Sequence, residues 1–431
     1  HRMNARDTSN PMRGLRPLVA ALAATASCGA WAEDPNPWYV GATQSLTRDS
    51  NVYRLNDNAP LAPDRARADT YSSTGLVGGL DLSIGRQHFY GAGNVRYNRY
   101  QDNDNLTNTS YGLNAGWDWA TVWNLSGGVN VSANQSLAQL DGNSSAQVQT
   151  NDRNLVKTDQ IGARIAWGGT GLLSVRGDYS HSRVRYSRPT QLSSNSSNSS
   201  ADSGSVGTFY NINPDLTAGV ALRLTRTEQG AAVAGAPAGQ TTNSNGRNID
   251  LSLNWRYTVQ TGVNARLSFT RQTNAGGGNQ DFSGLTGSLA ATYAPTAKLA
   301  FSLAYNRDAG TNGTFFNVPA QAGPGGSTPA TTVLVQNSQV ADSLSLGGTY
   351  AATAKIGVTA GYTYRQSRIA NPGGGDYNDK LQVASLGASW AIARAWQLGC
   401  NLSHEKRDAG GAAGLAYSAN VIGCSAQFTL R

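Results

Sequence analysis

The most constraining feature of the chain is a strict alternation of apolar and polar side chains with a period of two. It is clearest in residues 246–273, where Ile249, Leu251 and Leu253 alternate with polar residues and the pattern resumes after a short polar step. Period two is typical of a β-strand with one apolar face, and two such strands form a hairpin. Because no helical segment follows that could cover the apolar face, we expect this face to meet lipid.

The same alternation continues through the rest of the chain, in segments long enough to cross a membrane as tilted strands. The segments are 38–48, 70–85, 87–100, 108–119, 122–136, 153–167, 171–187, 203–212, 215–228, 247–258, 261–273, 282–294, 297–307, 339–352, 355–369, 379–392, 395–406 and 416–430. The largest loops are 49–69, 137–152, 188–202, 229–246 and 308–338. Short turns alternate with these long loops, as in outer-membrane barrels. We therefore predict an all-β fold, a transmembrane antiparallel up-and-down β-barrel of about 18 strands, with 16 as the alternative.

The N-terminal region has the three parts of a secretory signal peptide. Arg13 and Arg16 precede the short apolar run 18–26, and the small-residue segment 30–32 has the form of a cleavage site. The domain prediction is an upstream or non-native extension at 1–11, a signal peptide at 12–32 and a single outer-membrane β-barrel at 33–431. An even number of strands with a long loop after the first strand places both barrel termini in the periplasm of a bacterium.

Composition excludes several other classes of protein. Only 14% of the 431 residues are charged, and a dispersed formal net charge of +8 does not indicate nucleic-acid binding. Of the three cysteines, Cys28 lies in the signal region, where lipid attachment is an alternative, and no Cys/His spacing resembles a metal site. Cys400 and Cys424 lie on the apolar faces of the last two strands; we favour two unpaired thiols, with a cross-strand bridge as the alternative. We expect no cofactor and no metal.

The histidines do not indicate an enzyme. None of His88, His181 and His404 has a nearby serine and aspartate in the arrangement that nucleophilic catalysis requires. Asp102 and Asp104 lie in an Asn-rich loop and are more typical of turn formers than of a catalytic acid pair. We therefore predict no catalytic residues.

Charged residues recur on the polar faces of the predicted strands, which would line the lumen. The predicted pore-lining residues are Arg96, Arg164, Arg176, Arg223, Arg256, Arg266, Arg365, Asp81, Asp118, Asp178 and Asp250. Two interpretations stay open: ion pairs between neighbouring strands that stiffen the wall, or an excess of arginine that makes a weakly anion-favouring conduit.

Tryptophans cluster near the short turns. They are Trp117, Trp119, Trp123, Trp167, Trp255, Trp390 and Trp396. Tryptophans of an ordinary core would not gather at one end of successive hairpins. The distribution predicts an aromatic girdle at the inner membrane interface.

Two segments near the start of the predicted barrel resemble a known family. The segments 38–42 (WYVGA) and 48–53 (RDSNVY) are similar to the first strand and loop of the exopolysaccharide-operon outer-membrane barrels, the EpsL-like proteins of the β-barrel porin 2 group. The resemblance extends as a loose hairpin pattern over residues 38–430, and it carries over no catalytic residues. It implies a water-filled exit for exopolysaccharide in a system of polysaccharide synthesis and export.

The partners expected of such a barrel are outer-membrane lipid and lipopolysaccharide, the barrel-assembly machinery, the polysaccharide and periplasmic export components, with no nucleic acid. A general or small-anion diffusion porin is the alternative function. A surface enzyme and an adhesive barrel are alternatives from other classes. Loop 308–338 would either fold inward and narrow the channel or remain a mobile outer loop, which its glycine content favours slightly.

Overall fold

The structure is a computed structural model that describes most of the chain from Asn36 to Leu430. The described residues are 36–61, 63–138, 153–168, 171–187, 198–230, 241–275, 281–309, 314–317, 322–323, 326–327, 332–335, 338–371, 374–409 and 416–430. The predicted extension at 1–11 and signal peptide at 12–32 lie outside the described residues, and so does most of loop 308–338.

Strands make up nearly all of the described structure. The strands are β1 Trp38–Asp49, β2 Asp69–Ile84, β3 Gln87–Tyr100, β4 Asn108–Ala120, β5 Leu125–Leu137, β6 Leu155–Trp167, β7 Leu173–Tyr186, β8 Ser199–Asn213, β9 Leu216–Gly230, β10 Thr241–Thr258, β11 Thr261–Ala275, β12 Phe282–Thr296, β13 Leu299–Asp308, β14 Thr314–Asn317, β15 Ala322–Gly323, β16 Gly326–Ser327, β17 Thr332–Val335, β18 Ser338–Ala351, β19 Ile356–Asn371, β20 Gly374–Ala393, β21 Trp396–Ala409 and β22 Tyr417–Leu430. A 3-10 turn, Asp104–Leu106, follows β3. In the described part of the chain, no helix is long and apolar enough to span a membrane.

Eighteen of the strands form one closed antiparallel sheet, and the four short strands β14 to β17 form two separate hairpins. Each barrel strand pairs with its neighbours along the chain, and β1 closes the sheet by pairing with both β2 and β22. The predicted up-and-down barrel of 18 strands is confirmed, and the alternative of 16 strands is wrong.

The ends of the predicted strands differ from the structure mainly on the long-loop side. Strand β8 begins at Ser199 instead of 203, β10 at Thr241 instead of 247, and β20 at Gly374 instead of 379. These stretches are rich in Ser, Asn and Gly, and their composition favours loops. They are strands because the neighbouring strand extends beyond the membrane-crossing segment and supplies hydrogen-bonding partners for the backbone.

The connections at the two ends of the barrel differ in length. At one end lie the long loops 50–68, 101–107, 138–154, 187–198, 231–240, 276–281, 309–337 and 410–416, together with the two-residue connection 372–373. At the other end lie the short turns 85–86, 121–124, 168–172, 214–215, 259–260, 297–298, 352–355 and 394–395. Strand β1 begins and β22 ends at the short-turn end.

The two faces of the barrel wall have opposite character. Large apolar side chains occupy the outer face and remain exposed, as at Leu46 and Leu76, which are both 60% exposed. The inner face is polar and partly buried, with Ser268 0% and Ser367 1% exposed. An apolar surface that surrounds the whole barrel would not remain exposed in water, so the outer face is suited to lipid.

The two C-terminal cysteines form a disulfide, which corrects the favoured expectation of unpaired thiols. Cys400 of β21 and Cys424 of β22 are directly opposite each other in the register, with their Cα atoms 4.1 Å apart and their sulfur atoms bonded. Direct opposition brings the two Cβ atoms within reach of each other, which the sequence alone did not establish.

Candidate functional site

The structure places all eleven charged residues predicted to line the pore on the polar inner face. Their neighbours in the register on adjacent strands are mostly polar or small, with Leu381 opposite Arg365 as an exception, while the exposed apolar residues occupy the alternate positions. Arg266 of β11, for example, lies between Leu267 and Ala265 and is opposite Ser252 and Ser288. The pore itself is therefore surrounded by polar groups, of which these charges form several separate clusters.

Two of the predicted residues pair across an intervening glycine. Arg164 of β6 donates a hydrogen bond to Asp118 of β4 over 2.7 Å, although β5 lies between the two strands. Gly128 of β5 is opposite both residues, and a Cβ atom there would overlap the carboxylate of Asp118. The glycine leaves the space in which the two charged groups meet.

A second ion pair joins neighbouring strands. The guanidinium of Arg223 on β9 donates two hydrogen bonds to Asp250 on β10, at 2.8 and 3.1 Å. Its bidentate geometry is that of a strong arginine–carboxylate pair. This cluster and the Arg164–Asp118 pair support the interpretation of wall-stiffening ladders for part of the inner face.

Four of the seven other predicted charges have partners of their own. Arg256 pairs with Asp215 of the adjacent short turn at 2.9 Å, and Asp81 pairs with His88 at 2.8 Å. Ser205 donates to Asp178 at 3.4 Å, and Arg365 donates to Ser367 at 3.2 Å. Among the described residues, no carboxylate forms an ion pair with Arg96, Arg176 or Arg266.

The inner face also carries charges that the sequence analysis missed. Arg407 of β21 pairs with Asp379 of β20 at 2.8 Å, and Asp308, Asp49 and Glu405 are also on this face. These residues lie close to the long-loop ends of their strands. Asp49, Asp308 and Arg407 fall just outside the predicted strand segments, whereas Asp379 and Glu405 lie inside them. They add one arginine and four carboxylates, so the predicted excess of positive charge does not extend over the whole inner face.

Two of the three predicted pore-lining arginines that pair with no described carboxylate lie in one recess of the wall, where Asp250 and Asp308 are near enough to Arg266 to interact with it electrostatically without forming an ion pair. Arg176 and Arg266 line a cavity of ≈ 250 Å³ between β7 and β12, together with Phe209, Asn254 and Asn264. The guanidinium of Arg176 lies over the ring of Phe209, with its carbon 4.3 Å from the ring centroid. This cation–π contact orients the guanidinium without neutralising its charge, so its N–H groups can bind an anion from the lumen.

A glycine positions the aromatic ring of the recess. An added Cβ atom at Gly219 of β9 would overlap the ring of Phe209 on β8, so the ring lies flat against the bare backbone. The rings of Tyr39 and Tyr90 lie in the same way over Gly79 and Gly116, respectively. Each flat ring keeps the lumen wide and leaves its other face directed away from the wall.

The first long loop, residues 50–68, is held at the mouth of the barrel by a buried ionic cluster. Arg54 donates to Asp49 of β1 at 2.8 Å and to Glu405 of β21 at 3.0 Å, and its side chain is only 12% exposed. Burial alone would lower the pKa of Arg54, but the carboxylates of Glu405 and Asp49 outweigh it and raise that pKa above its usual value. Arg54 therefore remains charged and joins the loop to inner-face carboxylates.

Asn51 adds a second attachment of the same loop. Its side-chain amide donates to the carbonyl oxygens of Leu55 at 2.8 Å and of Ser418 on β22 at 3.0 Å. Ser50 forms hydrogen bonds with the backbone of Asn420 in both directions, at 2.9 and 2.8 Å. The segment 48–53, which carries the family resemblance, thus fastens the loop to the last strand.

An apolar cluster underlies the loop. Tyr53, Leu55, Tyr100 and Leu106 are all less than a tenth exposed and pack together. The Tyr53 hydroxyl donates to Asn103 at 2.9 Å, and burial raises the pKa of this hydroxyl above its usual value, so it stays protonated. Loop 50–68 is therefore a packed part of the mouth. Loop 308–338, the loop expected either to narrow the channel or to stay mobile, lies largely outside the described residues.

The seven predicted girdle tryptophans all lie at the short-turn end of the barrel. Trp123 is 81% exposed in its turn and Trp167 is 62% exposed at the end of β6. Trp38, which is 50% exposed, and the outer-face tyrosines Tyr257 and Tyr293 lie at the same end but are not among the predicted girdle residues. The alternation of exposed aromatic residues next to each short turn was the signal that could have identified them.

The histidines each contact one polar partner. His181 accepts or donates a hydrogen bond at 2.9 Å with Asp202, which also accepts one from Tyr179, on the outer face of the barrel. His404 contacts Asn420 at 2.7 Å. Within the described ranges, no group of three or more His, Cys, Asp or Glu side chains is arranged to hold a metal ion.

Comparisons with known proteins give similarities of architecture. No family model matches the chain, and no curated protein matches it. Among solved structures, OccAB4 of Acinetobacter baumannii is 10% identical with a TM-score of 0.46, over 92% of this chain and 99% of that one. OccK3 of Pseudomonas aeruginosa is 15% identical with a TM-score of 0.43, over 91% of this chain and 95% of that one. The siderophore receptor PiuA of A. baumannii is 11% identical with a TM-score of 0.46, over 93% of this chain and 82% of that one.

Proposed function

We propose that the protein is a passive outer-membrane conduit for acidic saccharide that acts in the export of exopolysaccharide. The observation that carries this proposal is a closed barrel with an apolar outer face and a polar inner face that contains the Arg176 and Arg266 recess. The apolar face accounts for a place in a membrane, and closure leaves no unpaired strand edge there. No catalytic role is assigned to the chain.

The size of the barrel suits a hydrated polymer. Eighteen strands spaced by about 4.8 Å and tilted by about 40° close a circle about 35 Å across between opposite backbones. Side chains on both walls and the docked loop 50–68 reduce this width. Barrels of this strand number enclose an aqueous channel, whereas barrels of eight strands are filled by their own side chains.

The chemistry of the recess suits a saccharide that carries carboxylates. Arg176 and Arg266 would pair with the carboxylate of a sugar acid, and Asn254 and Asn264 offer amide donors and acceptors for hydroxyl groups. The flat rings of Tyr39 and Tyr90 would contact the apolar face of a sugar ring. Contacts of this kind are weak and numerous, which lets a polymer move along the wall.

The direction of transport and the polymer are supported by the resemblance of segments 38–42 and 48–53 to the EpsL-like barrels. In this proposal the periplasmic export components deliver the polymer to the short-turn end, and the barrel-assembly machinery inserts the chain. A general or small-anion diffusion porin is the second candidate, because the two arginines of the recess, which form no ion pair with a described carboxylate, would also favour small anions.

The test is the single-channel conductance of the refolded protein in a planar bilayer, with acidic or neutral oligosaccharides added. We expect open channels that acidic oligosaccharides interrupt at concentrations at which neutral ones of the same length do not. In Arg176→Gln/Arg266→Gln, half-maximal block should need about thirtyfold more acidic oligosaccharide, since two charge-assisted contacts are lost and each contributes about 1 kcal/mol.

Two further variants separate the recess from the charge of the lumen as a whole. Arg256→Gln removes an exposed inner-face charge that pairs with Asp215 outside the recess, and it should leave the block unchanged. Gly219→Val keeps every charge but displaces Phe209, and it should weaken the block. Anion selectivity without block by oligosaccharides would favour the small-anion porin, and an absence of conductance would contradict both proposals.

A further inference from the structure

Basic residues form a belt around the outer face of the barrel at its long-loop end. The belt consists of Arg48, Arg99, Lys157, Arg183, Arg185, Arg226, Arg247, Arg271, Arg307, Arg368, Lys380 and Lys406. All of them are exposed, and each lies in the half of its strand next to the long loops. In the described strands, the outer face has no lysine or arginine at the short-turn end, where aromatic residues occupy it instead.

Three members of the belt lie together on adjacent strands. Arg247 of β10 is directly opposite Arg271 of β11. Arg226 of β9 is opposite Asn245, the next outer-face residue before Arg247. Directly opposite side chains have Cβ atoms about 5 Å apart, and like charges in such a pair destabilise the sheet. Three arginines therefore share one patch of the outer face, and within it the directly opposite pair Arg247 and Arg271 is unfavourable for the sheet.

The described residues compensate only one of the three charges, that of Arg226, which is also directly opposite Asp202 of β8. Arg226 contacts Glu228 at 2.7 Å, while neither Arg247 nor Arg271 forms an ion pair with a carboxylate in the part of the chain that the structure covers. An anionic group from outside the barrel would remove the repulsion, and guanidinium groups bind phosphate in a bidentate manner.

The surface beside the cluster identifies the kind of anion. Leu224, Ile249 and Phe269 are the next outer-face residues on the same strands, on the side of the three arginines nearer the short-turn end. Each is more than half exposed. Charged groups directly above an exposed apolar surface match an amphiphile, with its headgroup on the arginines and its acyl chains on the apolar residues.

We propose that Arg226, Arg247 and Arg271 bind the phosphorylated headgroup of an outer-leaflet glycolipid, whose acyl chains lie against Leu224, Ile249 and Phe269. This site is on the outside of the barrel and is independent of the conduit. It turns the general expectation of lipid and lipopolysaccharide partners into one position on β9 to β11.

The test measures thermal unfolding of the refolded protein in a neutral detergent as lipopolysaccharide is added. Lipopolysaccharide from which the phosphates have been removed and inorganic phosphate alone are titrated in parallel. We expect the unfolding temperature to rise with the intact lipid and to remain constant with the other two. In Arg247→Gln/Arg271→Gln the half-saturating lipid concentration should be about thirtyfold higher, since each basic residue contributes about 1 kcal/mol to binding an anionic lipid surface.

A matched control and a change of sign make the result specific. Lys298→Gln/Lys355→Gln removes the same charge from turns at the other end, and its lipid response should equal that of the unchanged protein. Without lipid, Arg247→Gln/Arg271→Gln should unfold at a higher temperature than the unchanged protein, because the like-charge pair is gone. If the double variant fails to refold, Arg271→Gln alone should show about a fivefold shift.

Three outcomes would overturn the proposal. Equal stabilisation by the dephosphorylated lipid would mean that acyl chains alone bind. A rise in the unfolding temperature with inorganic phosphate alone would indicate that the site binds free anions and not a lipid. An equal loss of binding in the control variant would show that total charge, and not this cluster, determines the response.

Discussion

Arg54 joins the first long loop to the end of β1 and to β21 at the mouth of the barrel. Its guanidinium contacts Asp49 and Glu405, whose side chains are 11% and 12% exposed. Removing one member of a buried ionic group leaves the other charges without compensation, which destabilises more than the loss of the contact itself. The docking of loop 50–68 therefore depends on this residue.

We predict that Arg54→Met releases loop 50–68 without unfolding the barrel. The docked state of the loop should lose about 2 kcal/mol, which increases the population of the undocked loop about thirtyfold. This loss is smaller than for a fully buried ion pair because the three side chains are partly exposed. Limited proteolysis with trypsin, followed by mass spectrometry, measures cleavage within the loop. Arg48→Met removes an exposed arginine six residues earlier, and trypsin should cleave its loop at the same rate as in the unchanged protein. Equal cleavage rates in Arg54→Met and Arg48→Met would contradict the prediction.

For single residues, the alternation predicted which face of the barrel wall a side chain occupies, but not which residue it contacts. Period two was enough to place Arg164 and Asp118 on one face, because a shift of one residue would have exposed both to lipid. Their contact across Gly128 depends on the relative register of three strands, which no local pattern encodes. The same limitation explains why Asp379 and Arg407 were missed as an inner-face pair.

At the scale of elements, strands were predictable because lipid imposes the pattern, whereas loops were not. A segment that crosses the apolar layer must alternate, so all eighteen barrel strands were identified from the sequence. Outside that layer the constraint disappears, and β10 continues as a strand through the polar residues from Thr241. The packed state of loop 50–68 arises from contacts with β21 and β22, more than 300 residues away, so its own composition could not reveal it.

The Cys400–Cys424 bridge joins two strands that already pair, so we predict that it affects stability and not conduction. With a sequence separation of 24, loop closure predicts a contribution of about 3.5 kcal/mol to the free energy of unfolding. Cys400→Ser/Cys424→Ser should lower that free energy by about this amount in urea titrations. Its single-channel conductance should match the unchanged protein, since both side chains lie on the outer face.

A matched measurement checks the origin of the effect. Reduction of the unchanged protein with a phosphine should reproduce the lower stability of the double serine variant. If the variant were less stable and the reduced protein were not, packing of the serine side chains, instead of the bridge, would be responsible.

For the whole molecule, the two rims differ in chemistry. Exposed aromatic residues surround the short-turn end, and exposed basic residues surround the long-loop end. This asymmetry agrees with an orientation in which the long loops face the cell exterior and both barrel termini face the periplasm.

We predict this orientation from labelling of intact cells with a membrane-impermeant maleimide. In the Cys400→Ser/Cys424→Ser background, Asn58→Cys in the first long loop should be labelled directly. Lys355→Cys, in a short turn, should be labelled only after the outer membrane is permeabilised. The reverse pattern would mean that the barrel is inserted the other way round, and the lipid proposal for β9 to β11 would lose its place in the outer leaflet.

The attachment of loop 50–68 to β21 and β22 also sets an order of events. Asn51 and Arg54 follow the first strand, yet their partners Ser418 and Glu405 belong to the final hairpin. The loop therefore has nothing to dock on until β22 has met β1 and the barrel is closed. An ordered first loop is a sign that the chain has completed its assembly, and a premature or open barrel would present this loop to proteases instead.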